Sequence, residues 1–197
     1  MVVAPARAAI TGLILAGGRG QRLGGVDKGL QAWHGLPLVD HALARLAPQV
    51  GAVLISANRN AAAYAARAAR VLPDASDDFP GPLAGILAGL RAAATPWLAV
   101  VPCDSPRLPL DLVARLARGI ADGAQGAVVQ RDHGADGLRL EPVCCLLATT
   151  LADDLARYLD DGGRKVEAWV ARHATPVLFD APGDDAAFAN VNTPADF

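Results

Sequence analysis

The sequence predicts an α/β fold of three layers, in which a doubly wound, mostly parallel sheet lies between two layers of helices. Short apolar runs alternate with helix-like segments along the 197 residues, and this alternation is typical of parallel sheets covered on both faces. Within the helix-like segments, apolar residues recur at the spacing of one helical face. Because the chain contains no linker, repeat or low-complexity tract, we expect one domain over residues 1–197.

Strands and helices are expected in alternation along the chain. The expected strands are Thr11–Ala16, Ala52–Ala57, Trp97–Val101, Ala127–Gln130, Pro142–Leu147 and Thr175–Phe179. The expected helices are Leu38–Ala47, Asn60–Ala69, Leu83–Ala93, Leu110–Ile120, Leu151–Asp160 and Lys165–Arg172. Ligands of such sheets bind in the crevice at the carboxyl ends of the strands. Residues that directly follow the strands are therefore the first candidates for a functional site.

Composition and charge argue against several classes of protein. No run of 18 or more apolar residues occurs, so no membrane span is expected. The N-terminus carries Arg7 inside its apolar part and does not resemble a signal peptide. A net charge of −2 argues against non-specific binding to nucleic acid. The sequence thus predicts a cytoplasmic protein that binds neither membranes nor nucleic acid.

The three cysteines are Cys103, Cys144 and Cys145. An odd count with an adjacent pair makes a poor disulfide framework, and no Cys or His spacing suggests zinc. They are expected to be core or near-core thiols in a reducing compartment. Cys103 is the one with a possible functional role, because it lies beside Asp104.

A glycine-rich segment follows the first strand and suits a phosphate ligand. Glycine lets main-chain N–H groups approach a ligand closely, and Arg22 and Lys28 add two cations that favour polyphosphate. The segment is not a P-loop, because Val26 stands where lysine is required. It is not a dinucleotide fingerprint either, because Leu23 replaces the last glycine. The alternative is a plain connector that binds nothing. The glycines of the segment are Gly17, Gly18, Gly20, Gly24 and Gly25.

Asp104 follows an apolar strand and is a candidate magnesium ligand. Pro102 and Pro106 restrict the backbone on either side of it. Magnesium prefers oxygen ligands and usually takes one or two carboxylates, with phosphates and waters completing its coordination. A single carboxylate opposite a phosphate-binding segment fits this requirement. The alternative is a turn-forming or helix-capping aspartate, since Ser105 also favours turns.

Several motifs together resemble one family, the molybdenum cofactor guanylyltransferases. They are LAGG at residues 15–18 followed by Arg22, GGVDKGL at 24–30, PGPLAG at 80–85 and NVNTP at 190–194. The resemblance implies a Rossmann-like nucleotide-diphospho-sugar transferase fold. It also implies transfer of GMP from GTP to the terminal phosphate of the molybdenum–molybdopterin cofactor, with release of pyrophosphate. The implied partners are other proteins of molybdenum-cofactor biosynthesis and the molybdoenzymes that receive the product.

Carried over residue by residue, the resemblance implies catalytic roles for Arg22, Lys28 and Asp104, and it makes Asp104 the ligand of Mg²⁺. The implied nucleotide contacts are Leu15, Ala16, Gly17, Gly18, Lys28, Ser56, Asn58, Asp74, Gly85 and Asp104.

For some of these positions a structural interpretation stays open. Asp77 and Asp78 rival Asp74 on chemistry alone, and all three could form a solvated acidic loop. Asn58 could instead cap the helix that follows it. The small residues of the segment 80–85 could serve close packing of a helix against a strand rather than a nucleotide.

On the acceptor side, the resemblance points to Asn190, Asn192, Arg164 and Lys165. The two asparagines face the same side of an extended segment and could read the polar edge of a pterin, or could form an Asx turn. The two basic residues begin a predicted helix, where cations oppose the helix dipole, which hints at an anionic ligand. A solvated charge pair is the alternative. Glu141 departs from the pattern, since some relatives have His-Pro where this chain has Glu-Pro.

The implied reaction needs no general base. A phosphate monoester has a second pKa of about 6 and is largely dianionic at neutral pH, so the nucleophile is already ionised. The glycine pair in LAGG resembles guanylyl-specific members, whereas cytidylyl-specific relatives tend to have LAAG. Two alternatives remain: a related nucleotidyltransferase that uses CTP or a sugar-phosphate acceptor, and a non-catalytic carrier of nucleotide or cofactor.

Overall fold

A computed structural model describes residues 4–16, 27–68, 70–73 and 81–192. The strands are β1 (Ile10–Leu15), β2 (Ala32–Trp33), β3 (Leu36–Pro37), β4 (Ala52–Ser56), β5 (Arg70–Leu72), β6 (Trp97–Pro102), β7 (Gly126–Asp132), β8 (Leu138–Ala148) and β9 (Thr175–Leu178). The helices are α1 (Leu38–Leu46), α2 (Ala61–Ala65), α3 (Pro82–Ala92), α4 (Leu112–Arg118), α5 (Ala152–Asp160), α6 (Val166–Val170) and α7 (Asp184–Ala187).

The described strands form a central sheet in the order β5-β4-β1-β6-β8-β7-β9, and β2 and β3 form a separate two-stranded hairpin. β1 pairs in parallel with both β4 and β6, and β7 pairs in parallel with β9. β8 runs antiparallel to its neighbours β6 and β7. The prediction of a mostly parallel sheet is confirmed, with one reversed strand inside it.

Alternating strand residues supply two apolar cores, one on each face of the sheet. Ile14 of β1 packs with residues of α1 and α4 on one face. Leu13, its neighbour, packs with residues of α3, α5 and α6 on the other face. This arrangement follows from the period of two along a strand. The three predicted layers are therefore present.

The predicted helix Asn60–Ala69 is wrong in extent. Helix α2 covers Ala61–Ala65, and the strand β5 follows it at Arg70–Leu72. Asn60 has a left-handed backbone with φ 53° and ψ 34°, so the helix begins after it. A strand of three residues is too short to show a period of two, which is why the sequence does not reveal it.

The predicted helices Leu110–Ile120 and Lys165–Arg172 are too long at both ends. Helix α4 ends at Arg118, directly before Gly119, a weak helix former. Lys165 is extended with ψ 113°, so α6 begins after it.

Strand β8 starts at Leu138 rather than at the predicted Pro142. The hairpin β2–β3 and the short helix α7 are not predicted. None of the helices in the described part of the chain is long and apolar enough to cross a membrane.

Candidate functional site

The site lies where the strand order of the sheet reverses. From β1, the chain moves to β4 and β5 on one side, and β6 pairs on the other side of β1. The carboxyl ends of β1 and β6 meet there, because Cys103 N donates to Leu15 O over 3.1 Å. Ala16 N donates to Ser56 O over 2.9 Å and ties in the end of β4. Ligands of open α/β sheets bind at such a switch point.

A cavity of about 260 Å³ opens at these strand ends. Many of the residues that the sequence nominates lie in its wall. Those residues are Leu15, Ala16, Lys28, Ser56, Gly85, Asp104 and Asn190. The expectation that residues after separate strands converge on one crevice is therefore met for this set.

Lys28 and Asp104 are in direct contact within this cavity. Lys28 Nζ donates to Asp104 Oδ2 over 2.6 Å, and the two side chains are 22% and 23% exposed. The same ammonium group donates to Asn192 Oδ1 over 2.6 Å. A cation and a carboxylate that are 76 residues apart in the sequence thus lie side by side in the wall of the cavity, where a ligand could reach both.

The C-terminal segment returns across the end of β6. Val191 N donates to the main-chain oxygen of Asp104 over 2.9 Å. Ser105 Oγ donates to Asn190 Oδ1 over 2.7 Å. Asn190 therefore contacts the residue next to Asp104, the candidate magnesium ligand. Asn192 contacts Lys28, the residue that is paired with Asp104.

Ser56 and Gly85 form the wall where helix α3 begins. Ser56 is buried, with 1% of its surface exposed. A Cβ at Gly85 would lie 2.6 Å from Ser56 Oγ and 2.9 Å from Leu15 Cδ2. Close packing of α3 against the strands therefore requires a small residue at position 85, as the packing interpretation of the segment 80–85 predicts. The same glycine also lines the cavity.

Some nominated residues lie outside the described residues or away from the cavity. Gly17, Gly18, Arg22 and Asp74 belong to the first group, together with the rest of the glycine-rich segment and the acidic residues Asp77 and Asp78.

Asn58, Arg164 and Lys165 are exposed and are not among the described residues of the cavity wall. Asn60, rather than Asn58, is the N-cap position of α2. Arg164 Nη1 donates to Leu159 O over 2.8 Å and to Gly163 O over 2.7 Å. It therefore binds carbonyls at the C-terminal end of α5, where the helix dipole favours a cation.

Two charged groups near the site were not assigned a role from the sequence. Glu141 lines the cavity, and its Oε1 accepts from Arg131 Nη1 over 3.1 Å. Asp27 precedes Lys28 and binds groups of the α2 region. In the sequence, Asp27 could have been noticed because it directly precedes the candidate catalytic lysine. Glu141 could have been noticed because it departs from the family pattern.

Cys103 also lines the cavity, but its thiol is protonated at neutral pH. Burial, and then the nearby Asp104 carboxylate, raise the pKa of Cys103 to about 12. Nucleophilic cysteines need a lowered pKa. The structure thus favours the interpretation of Cys103 as a near-core thiol.

The fold and the cavity define a class: an open α/β protein with a cation and a carboxylate in a cavity at the switch point of its sheet. The sequence matches the MobA-like NTP transferase domain over residues 12–177. Because this match spans most of the chain, the protein belongs to that family of nucleotidyltransferases.

Curated relatives agree with this assignment over nearly their whole length. A protein of Ralstonia nicotianae named "Molybdenum cofactor guanylyltransferase" is 55% identical, over 95% of this chain and 93% of its own. A protein of Cupriavidus taiwanensis with the same name is 56% identical, over 95% and 94% of the two chains. The predicted family resemblance is therefore confirmed.

Solved structures support the fold. The molybdopterin-guanine dinucleotide biosynthesis protein A of Archaeoglobus fulgidus superposes with a TM-score of 0.72 at 24% identity, over 94% of each chain. The 4-diphosphocytidyl-2C-methyl-D-erythritol synthase of Anaerococcus prevotii gives 0.71 at 9% identity, over 96% of this chain and 92% of its own. The Rossmann-like transferase fold implied by the sequence is thus confirmed.

Proposed function

We propose that this protein transfers GMP from GTP to the terminal phosphate of the molybdenum–molybdopterin cofactor, forming molybdopterin guanine dinucleotide and releasing pyrophosphate. The observation that supports this most strongly is the contact between Lys28 Nζ and Asp104 Oδ2, 2.6 Å apart in the cavity at the switch point. It occurs in a chain that is 55% identical to a protein named molybdenum cofactor guanylyltransferase. Phosphoryl-transfer enzymes recurrently use a lysine that binds phosphates and a carboxylate that holds the metal ion.

The residues of the cavity suit a reaction that depends on placement and charge. The acceptor phosphate is largely dianionic near neutral pH and attacks the α-phosphorus without a general base. Lys28 would bind phosphate oxygens and offset their charge, and Arg22 would do the same for the leaving pyrophosphate. Holding the acceptor phosphate in line with the bond to the leaving pyrophosphate would lower the barrier further.

The nucleotide is proposed to occupy the part of the cavity between β1, β4 and α3. Main-chain groups of residues 15–18 would face its phosphates, with Ser56 and Gly85 beside the nucleoside. Asn58 and Asp74 are further proposed contacts. The choice of GTP rests on the glycine pair in the LAGG motif and on the names of the relatives.

The residues present fit a magnesium ion. Asp104 offers a carboxylate that is 23% exposed at a strand end, and Asn192 presents an amide oxygen to the same lysine ammonium. One carboxylate, completed by substrate phosphates and water, is a donor set that Mg²⁺ commonly uses. We therefore propose Asp104 as its ligand. When bound, the ion would supply charge neutralisation at the phosphate oxygens.

The acceptor is proposed to lie on the side of Asn190 and Asn192. Arg164 and Lys165 remain proposed contacts of its anionic groups. Further proposed partners are other proteins of molybdenum-cofactor biosynthesis and the molybdoenzymes that receive the product. We also propose a cytoplasmic location, since the three buried, unpaired thiols suit a reducing compartment.

The test is pyrophosphate release by the purified protein with GTP, magnesium and molybdenum–molybdopterin. We expect release with GTP and little with CTP. Stronger release with CTP, or with a sugar phosphate as acceptor, would assign the protein to a related transferase. Tight GTP binding with no pyrophosphate would identify a carrier.

Lys28→Ala and Asp104→Ala are each expected to lower kcat by about 10²- to 10³-fold, because each removes a charge that stabilises the transition state. The fold should be retained, since a partly exposed ion pair contributes about 1 kcal/mol or less to stability. Turnover and thermal unfolding measure the two effects. Near-normal transfer by Asp104→Ala in magnesium buffer would remove Asp104 from the mechanism.

A further inference from the structure

Asp27 accepts hydrogen bonds from three different groups. Gly29 N donates to its Oδ1 over 3.2 Å, so Asp27 caps the short 3-10 turn Lys28–Leu30. Tyr64 Oη donates to the same oxygen over 2.6 Å. Asn60 Nδ2 donates to Oδ2 over 2.9 Å. Two of the three donors belong to the region of α2, so the carboxylate joins the turn that carries Lys28 to another part of the fold.

The donor Tyr64 is held rigidly in the core. Its side chain is fully buried and packs in the same apolar cluster as Ala16 and Val39. Burial, and then the hydrogen bond to Asp27, raise the pKa of Tyr64 above its usual value. The hydroxyl therefore stays protonated and donates at neutral pH.

The turn is fitted closely against this tyrosine. A Cβ at Gly29 would lie 2.5 Å from Tyr64 Oη and 3.5 Å from Ala16 Cβ. The main chain beside Lys28 is thus packed between α2 and the end of β1. Glycine is required here because any side chain would push the turn away from the hydroxyl.

Asn60 provides a second, independent link. It is one of two non-glycine residues with positive φ in the described ranges, at φ 53°. A left-handed backbone costs about 1–2 kcal/mol for a residue with a side chain, although asparagine tolerates it best. In this conformation its amide reaches Asp27, which offsets the cost with a hydrogen bond to a charged acceptor.

From these contacts we propose that Asp27 and Tyr64 are positioning residues that hold the Lys28 ammonium at Asp104. Asp27 itself is not among the described residues of the cavity wall. Its oxygens are engaged by the turn and by α2, so it acts through the backbone of residues 27–29 and not on the substrate. The inference rests on the proposed role of Lys28 in binding nucleotide phosphates. A lysine has a long flexible side chain, so fixing its backbone restricts where its charge can reach.

A double-mutant cycle tests this inference. The dissociation constant of GTP in magnesium buffer is measured for the wild type, Tyr64→Phe, Lys28→Ala and the double variant. If Tyr64 acts through Lys28, Tyr64→Phe should weaken binding about tenfold in the wild type and by less than about twofold when Lys28 is absent. An equal weakening in both backgrounds, or no weakening in the wild type, overturns the proposal.

The Asp27 series provides a second measurement should Tyr64→Phe fold poorly. Asp27→Asn keeps an acceptor oxygen and should retain more GTP affinity than Asp27→Ala. Equal affinities of the two variants would overturn the positioning role. Asp40→Asn is the matched control, because Asp40 accepts from Arg67 Nε over 2.7 Å rather than from the donors that hold Asp27. It should leave GTP binding unchanged.

The two levels of inference fail separately. Absence of transfer to the molybdenum–pterin acceptor would overturn the proposed function. The double-mutant cycle could still be measured, because it depends only on GTP binding. Normal transfer with a cycle that shows no coupling would overturn only the positioning role.

Discussion

Among single residues, the cysteines show how burial controls reactivity. All three are buried, and burial raises the pKa of Cys145, and with the Asp104 charge that of Cys103, to about 12. At pH 8 these two thiols are then almost entirely protonated, and the thiolate is the reactive form. We expect native protein to react with iodoacetamide far more slowly than unfolded protein, as measured by mass spectrometry. Rapid alkylation of Cys103 in the native state would contradict this.

Glu141 allows a second test at the scale of one residue. Its carboxylate lines the cavity and is paired with Arg131 at 3.1 Å. Arg131→Ala should raise the KM for GTP several-fold, because an unneutralised carboxylate repels phosphate, and more so at low salt. Steady-state kinetics at two ionic strengths measures this. The double variant Arg131→Ala/Glu141→Gln should regain much of the loss; if it does not, charge is not the cause.

The proximity of Lys28 and Asp104 could be anticipated from the sequence for a physical reason. Lys28 and Asp104 could be brought together because each follows a buried strand, and parallel strands end at the same edge of a sheet. The link between Asp27 and Tyr64 could not be predicted, since it depends on the packing of a helix 37 residues away. Side-chain contacts between distant elements leave no periodic pattern in a sequence.

At the scale of elements, helices α5 and α6 are joined by a buried indole. Trp169 is fully buried, and its Nε1 donates to Asp154 Oδ1 over 2.9 Å. Asp154→Ala should lower the free energy of unfolding by about 1–3 kcal/mol, because the indole N–H loses its acceptor. Asp154→Asn keeps an acceptor oxygen and should cost less. Urea denaturation measures both, and equal stabilities for the two variants would contradict this explanation.

The same contact predicts a dependence on pH. The Trp169 hydrogen bond, with a smaller contribution from His173, lowers the pKa of Asp154 in the folded state. Its stabilising effect is therefore complete above the unfolded-state pKa of about 3.9 and is lost as pH falls through the folded-state value. The stability difference between the wild type and Asp154→Asn should shrink as the pH falls below about 4. A difference that does not change with pH would refute this.

Element boundaries show where sequence patterns lose information. Helices with a clear apolar face, such as α1 at Leu38–Leu46, agree with the prediction to within a residue. The run of alanines after Asn60 has no such face, and it conceals where α2 ends and β5 begins. Strand β8 was expected, but its reversed direction was not, because hydrophobic alternation is the same in either direction.

At the scale of the whole molecule, the site is assembled from three distant parts of the chain. The end of β1 and the turn at Lys28 come from the first part, and Asp104 follows β6 in the second. The C-terminal segment closes the arrangement through Asn190 and Asn192. Such a site exists only when the complete sheet has formed, so its geometry depends on global folding more than on any local motif.

Truncation of the C-terminal segment tests this dependence. A chain that ends after Ala189 loses the buried Val191, its hydrogen bond to Asp104 O and both asparagine contacts. Burial of a valine contributes about 1.5–3 kcal/mol, so we expect Tm to fall by about 5–10 °C. Transfer activity should fall as well, because Lys28 and Ser105 lose partners. A chain that ends after Asn192 keeps all these contacts and should have the higher Tm of the two truncated proteins in calorimetry. Equal Tm values for the two truncations would mean that residues 190–192 do not stabilise the site.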